Sequence, residues 1–324
     1  MQKMIDESNR ISRLNSLEAQ KYLAEIKGEK YMQYRLDWSH YGRSQIIPTR
    51  PLQLNIELTA DCNLRCQMCH RSYDIKTRGG RLTLEEIRIL AEQYKQLEIP
   101  SIWMSGGEPL THPNINEILR VFGRTNPLDF WLVTNGILLS NEVVETLFDG
   151  GLTWLSVSLD AVSPETYKKI RGGDLDCVHQ KIENFLNARS CRKSKTPFLR
   201  VTFVRMADNE MEIEEFLRKW QNKADIIDIQ TLADYHGLSD IDDEDVATAT
   251  YQCTAPFTLL SVLPNGDFLP CCNSFYGEKS DFNIHNASIS DYWNSNERTE
   301  FAISVKNKKY SKECIKCVKS FLPR

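Results

Sequence analysis

The chain has 324 residues, 41% of them hydrophobic and 26% charged, and carries a formal net charge of −4. That balance supports one large α/β domain with a smaller module, or two ordinary domains, and it excludes a disordered, collagen-like or extended basic protein, so nucleic acid is not expected as a partner. No run is long enough to cross a bilayer and residues 1–50 hold no apolar signal segment, so a cytoplasmic location without a membrane partner is expected. The ten cysteines then read as metal ligands or free thiols rather than a disulfide scaffold.

Residues 1–50 are polar, and Ser16 to Arg35 reads as one or two helices of an N-terminal extension that packs on the rest of the chain. From Leu52 to about Gln230, short β-branched or aromatic runs alternate with amphipathic stretches. The pattern predicts strands at 52–59, 100–105, 129–134, 153–159, 198–205 and 226–230. It places helices at Thr83–Leu97, Ile115–Phe122, Asn141–Phe148, Pro164–Ile170, Val178–Arg189 and Glu210–Trp220, the first opened by a Thr83/Glu86 capping box. Six β/α units over 51–231 make an α/β fold, a partial (β/α)6 barrel with its active site at the carboxyl ends of the strands. Residues 232–252, crowded with Asp240, Asp242, Asp243, Glu244 and Asp245, read as an acidic linker. A small module over 253–324 opens with a hairpin, Phe257–Leu263 and Phe268–Pro270, around Pro264-Asn-Gly-Asp267.

Chemistry concentrates at the predicted strand ends. Cys62, Cys66 and Cys69 follow the first strand, and three thiolates can hold three irons of a [4Fe–4S] cluster while the fourth iron stays open to a small molecule. Zinc is the other reading; it takes four N or S ligands, and His70, adjoining Cys69, would chelate one tetrahedral ion poorly. Ser105-Gly-Gly-Glu-Pro109, Thr134-Asn-Gly136 and Ser156-Val-Ser-Leu-Asp-Ala161 end the next three strands, where turn and capping chemistry also favours such residues. A second set, Cys253, Cys271 or Cys272, Cys314 and Cys317, lies in the last module. Zinc is its structural alternative, although the wide spacing is unlike a zinc ribbon.

The C-x3-C-x2-C spacing with Met68 before its last cysteine, followed one β/α unit later by Gly106-Gly107-Glu108-Pro109, resembles the radical S-adenosylmethionine (radical SAM) superfamily. The resemblance implies that Cys62, Cys66 and Cys69 ligate a [4Fe–4S] cluster carrying SAM on its open iron. Gly106, Gly107 and Glu108 would face the SAM amino group. Thr134, Asn135, Ser158 and Asp160 would meet its ribose hydroxyls and carboxylate, Arg171 its carboxylate, and Met68 and Asn209 its adenine. An electron from ferredoxin or flavodoxin would cleave SAM to methionine and a 5′-deoxyadenosyl radical that takes a hydrogen from substrate. The string Cys253-x12-Gly266-x4-Cys271 with Cys314-x2-Cys317 resembles the SPASM/twitch extensions of such enzymes. It implies one auxiliary [4Fe–4S] cluster on Cys253, Cys271, Cys314 and Cys317, because further cysteines do not follow Cys317.

A fully ligated second cluster favours net oxidation, with the cluster as electron acceptor. The expected substrate is a small polar biosynthetic molecule, a sugar, nucleotide sugar or aminocyclitol. The alternatives are maturation or epimerisation of a ribosomally made peptide, with Cys272 as hydrogen donor, and a metal-binding protein without catalysis. His236, Asp234 and Tyr235 are the residues considered as a general base, a role left unassigned.

Overall fold

The computed structural model describes residues 4–5, 11–14, 16–69, 71, 79–233, 246, 251–272 and 280–320. Two short strands, β1 (Met4–Ile5) and β2 (Ile11–Leu14), precede a long helix, α1 (Ser16–Ser44). Six parallel strands come next, β3 (Gln53–Glu57), β4 (Ser101–Ser105), β5 (Asp129–Thr134), β6 (Trp154–Ser158), β7 (Phe198–Arg205) and β8 (Ile226–Thr231), and they lie side by side in chain order. The connecting helices are α2 (Leu84–Gln96), α3 (Ile115–Gly123), α4 (Asn141–Asp149), α5 (Pro164–Arg171), α6 (Leu175–Cys191) and α7 (Ile213–Trp220). Each forms where the spacing predicts, and α2 is held by the Thr83/Glu86 capping box. Sequential parallel strands with right-handed crossovers return every helix to one side of the sheet, which leaves the other face to line a lumen.

Alternation along the strands separates these two faces. Leu54, Ile56, Ile102, Met104, Phe130, Leu132, Leu155, Val157, Leu199, Val201, Phe203 and Ile227 are buried against the helices in one continuous core, each contributing on the order of 1.5–3 kcal/mol by leaving water. The other face carries Asn55, Glu57, Trp103, Trp131, Trp154, Ser156, Arg200 and Asp228. Trp131 stacks between Trp103 and Trp154, with ring centroids 4.8 and 4.5 Å away. At the amino ends of the strands, Ala19, Leu23, Tyr31 and Tyr34 of α1 pack on Leu52, Trp154, Phe198 and Ile226 and close the lumen's floor. The two helical segments of α1 meet at Gly28, whose φ of +68° a side chain would resist.

Both edges of the six-stranded array are extended. β2 pairs antiparallel with β8; on the far side β9 (Leu259–Val262) pairs parallel with β3, and β10 (Phe268–Leu269) antiparallel with β9. The predicted hairpin therefore forms, but as a continuation of the core sheet, and Phe257 and Thr258 lie in a helical turn, Ala255–Thr258, that enters it. Helices α8 (Ile289–Trp293), α9 (Asn296–Lys306) and α10 (Lys312–Lys319) complete the C-terminal segment. Most of 232–252 lies outside the described residues, as do His236, Asp234 and Tyr235. Among the described residues no helix is long and apolar enough to cross a membrane.

Candidate active site

The loop with Cys62, Cys66 and Cys69 leaves the carboxyl end of β3 and is fastened at both ends. Ala60 N–H donates to Gly80 O and Leu82 N–H to Leu58 O, at 2.9 and 3.1 Å. Arg81 and Asp61 form an ion pair at 2.5 Å. Further along, Gln67 N–H donates to Ile170 O at the end of α5 and Cys69 N–H to Cys66 O. All three cysteines are half-buried. Leu64 N–H points at Cys62 Sγ (3.5 Å) and Arg171 Nη1 at Cys66 Sγ (3.7 Å), donors of the kind that stabilise thiolates. Burial pushes the Cys66 thiol up to about 11 despite Arg171; a bound metal ion outweighs such a shift and deprotonates a coordinating thiol. Among the described residues no three His, Cys, Asp or Glu side chains converge on a single metal ion. A cluster asks less convergence, since each of its irons takes one thiolate.

The strand-end residues singled out in the sequence gather beside this loop, where most of them hold one another. A Cβ on Gly106 would stand 2.7 Å from Thr59 O and one on Gly107 2.1 Å from Asp61 O. Only glycine permits this approach, which lets Gly107 N–H and Glu108 N–H donate to Thr59 O and Asp61 O, both at 2.7 Å. Glu108 is 1% exposed. Its carboxylate accepts from Thr134 Oγ1 (2.6 Å), Asn135 N–H (2.7 Å) and Leu110 N–H (3.0 Å). It therefore ties the second strand end to the third, and burial raises its pKa against the pull of those donors. Asn135 Nδ2 in turn donates to Asn63 Oδ1 of the cysteine loop (2.7 Å).

Asp160, fully buried at a φ of +62°, takes Arg171 in an ion pair at 2.5 Å and accepts from Val204 N–H at 2.6 Å. Burial works against the Arg171 charge, yet Asp160, with Cys66 behind it, raises its pKa. Asn209 donates to Asp160 O and Val204 O and accepts from Met206 N–H, which uses its amide completely. These are ties between loops, which sequence spacing cannot reveal. Half-buried Gly106, Met68 and Ser158 stand at the same mouth, and among the described residues the Ser158 hydroxyl makes no hydrogen bond. The three thiols, their donors and this polar rim fit a [4Fe–4S] cluster with a small polar ligand.

Below the mouth, the lumen holds residues that the sequence reading passed over. Arg200 and Asp228 form a buried ion pair, and the Arg200 guanidinium lies 5.7 Å from the ring centroids of both Trp103 and Trp131. Arg200 Nε, Asp228 Oδ1 and Ser156 Oγ are buried without a hydrogen-bond partner. Ser156 is in register with Arg200 and two residues before Ser158, one strand repeat or about 6.6 Å below the mouth. Their signal in the sequence was polarity at inward positions of predicted strands, and it carried no motif.

Cys253, Cys271, Cys314 and Cys317 line one cavity of about 70 Å³, walled by Pro256, Phe301, Val305 and Val318. Burial raises the Cys253 thiol, and the sulfurs of Cys317, Cys272 and Cys314 add to it; burial likewise raises Cys314. Cys272 is exposed and stands with this set, although Cys271 is the one of the two that faces the cavity.

Residues 56–218 match the family model of the radical SAM superfamily, and residues 253–318 match that of an iron–sulfur cluster-binding domain, SPASM. The chain belongs to the radical SAM superfamily and carries a SPASM-type C-terminal module. Membership brings a [4Fe–4S] cluster with SAM to the first region and iron–sulfur binding to the second. The chain is 36% identical over 200 residues to a probable GTP 3′,8-cyclase of Methanocaldococcus jannaschii, a match covering 59% of this chain and 65% of that protein. It is 40% identical over 116 residues to an AdoMet-dependent heme synthase of Methanosarcina barkeri, covering 36% and 33%. In fold it is similar to SuiB of Streptococcus suis (TM-score 0.59, 16% identity, 90% of this chain and 76% of that one). A second similar structure is BtrN in complex with AdoMet and 2-DOIA (TM-score 0.53, 19% identity, 81% and 91%).

Proposed function

We propose that this radical SAM enzyme oxidises a small polar biosynthetic molecule bound in the barrel lumen, in a reducing cytoplasm. The observation that carries the reading is the lumen itself, where Arg200, Asp228 and Ser156 keep unpartnered polar atoms one strand repeat below the mouth. A donor, an acceptor and a hydroxyl suit a hydroxylated or amino-bearing substrate such as a sugar, nucleotide sugar or aminocyclitol, because a substrate that satisfies buried polar groups gains their desolvation cost. When bound, SAM and its cluster supply a 5′-deoxyadenosyl radical. Cys62, Cys66 and Cys69 hold that cluster; Gly106, Ser158 and Arg171 hold SAM, Met68 packs on it, and Glu108, Thr134, Asn135, Asp160 and Asn209 brace those contacts.

Cys253, Cys271, Cys314 and Cys317 would hold an auxiliary cluster able to accept one electron, so that a substrate giving up a hydrogen atom, an electron and a proton would be oxidised by two electrons for each SAM consumed. Ferredoxin or flavodoxin would supply the starting electron. Cys272, exposed beside the auxiliary set, receives no catalytic role in this reading.

The test compares 5′-deoxyadenosine release when the reconstituted enzyme is given the dialysable small-molecule fraction of a cell extract or its peptide fraction. The small-molecule fraction is expected to stimulate release, and Arg200→Met and Asp228→Asn are expected to lose the stimulation while keeping about eight irons per chain. Stimulation by the peptide fraction alone, or variants that respond like the parent, would replace this reading with peptide modification.

A further inference from the structure

Arg298 is the largest charged side chain wholly buried in the C-terminal segment, at 0% exposure. Among the described residues no carboxylate forms an ion pair with it. Its Nη2 donates to Pro256 O, while Nε and Nη1 have no partner. The guanidinium carbon lies over the Trp293 ring, 3.5 Å from the centroid. A buried cation without a carboxylate is costly, and burial accordingly pulls its pKa down to about 10. The two buried arginines of the barrel each have a carboxylate, Asp160 for Arg171 and Asp228 for Arg200.

The missing counter-charge has a candidate close by. Arg298 shares a face of α9 with Phe301 and Val305, three and seven residues on, and both line the cavity with Cys253, Cys271, Cys314 and Cys317. Pro256, whose carbonyl Arg298 holds, lines the same cavity. The Tyr292 hydroxyl, itself unpartnered, lies within electrostatic reach of both Cys271 and Arg298. Four thiolates around a [4Fe–4S] core of charge +2 leave a net charge of about −2, which reduction makes more negative. We propose that Arg298 is the built-in counter-charge of the auxiliary cluster, stabilising its reduced form and so making it a better acceptor for the substrate's electron.

Arg298 is thus a positioning and tuning residue and touches no reacting atom. The proposal rests on the reading that these four cysteines hold a cluster. It also explains why a buried cation is tolerated at all, since a bound cluster would supply the anion where, among the described residues, no carboxylate pairs with Arg298.

The test uses the full chain with Cys62, Cys66 and Cys69 changed to Ala, so that the auxiliary cluster is observed alone. In this background, Arg298→Met is expected to keep about four irons and to disfavour cluster reduction at least tenfold, a midpoint potential lower by about 59 mV for one electron. Arg298→Lys, which keeps the charge, is expected to stay within threefold of the parent. The iron-free Arg298→Met chain is also expected to melt at a higher temperature than the iron-free parent, because it no longer buries an unpaired charge. An unshifted potential at full iron content, or an iron-free variant that melts lower or fails to fold, would overturn the proposal and leave Arg298 a packing residue. A parent that takes up no iron overturns the cluster assignment, and the inference with it, on the iron count alone.

Discussion

The mouth of the barrel and the cavity of the C-terminal segment each gather cysteines, and they are built in opposite ways. At the mouth, three half-exposed thiols sit on a loop stitched to its neighbours by Glu108, Asn135, Asp160 and Gly107, so the polar residues there are spent on holding the loop. In the C-terminal segment, four thiols line a mostly apolar cavity, and Arg298 nearby is buried with no carboxylate paired to it among the described residues. The first arrangement suits an iron that must accept a ligand, the second a closed cluster whose variable is its potential. An open ligand position demands a rigid rim; a closed cluster demands a set charge.

The contrast breaks most sharply at Arg171. Arg171→Met leaves Asp160 buried and unpaired beside Cys66, and a loss of about 3–5 kcal/mol is expected, measured by chemical denaturation, together with loss of SAM binding. The auxiliary cluster is expected to keep its ultraviolet–visible absorbance. An equal loss of both clusters would mean that the two regions are not independent.

A smaller effect is expected from Gly107→Ala, whose new Cβ meets the Asp61 and Ala60 carbonyls at 2.1 and 2.7 Å. The cost is about 1–3 kcal/mol, and the iron content is expected to fall from about eight towards about four as the cysteine loop is displaced. Asn135→Ala removes the tie to Asn63 and the side-chain acceptor of Ile137 N–H and is expected to cost about 0.5–1.5 kcal/mol for each bond. It sharpens the comparison if SAM affinity drops while the auxiliary potential is unchanged.

The smallest effect belongs to neither site. Burial holds the His179 pKa at about 4 against an ordinary 6.5, with Lys219 adding to it. As pH falls, the unfolded chain takes up this proton first, so the contribution is fully present above pH 6.5 and is lost as pH falls towards 4. His179→Gln is expected to flatten that part of the stability profile while leaving stability above neutral pH nearly unchanged.

Much of the barrel was legible in the sequence, because β-branched runs bounded by turns recur at regular spacing and buried parallel strands leave that mark on their own residues. Strands β5 and β7 fall on their predicted limits. The join between the C-terminal hairpin and β3 was not legible, since pairing over some two hundred residues leaves no local trace. The cysteine loop announced itself through spacing. The inward ties of Glu108 and Asn209 did not, because a carboxylate that closes two loops and one that meets a ligand have the same sequence. Arg200, Asp228 and Arg298 sat in plain view without a motif, and only their burial and missing partners mark them.

That the two cysteine sets hold separate clusters with separate tasks is tested most directly by a pair of reconstituted variants. One carries Cys62, Cys66 and Cys69 changed to Ala, the other Cys253, Cys314 and Cys317 changed to Ala. Each is expected to hold about four irons, and with SAM and dithionite only the second is expected to form 5′-deoxyadenosine. SAM cleavage by the first variant, or loss of all iron from either, would contradict the claim.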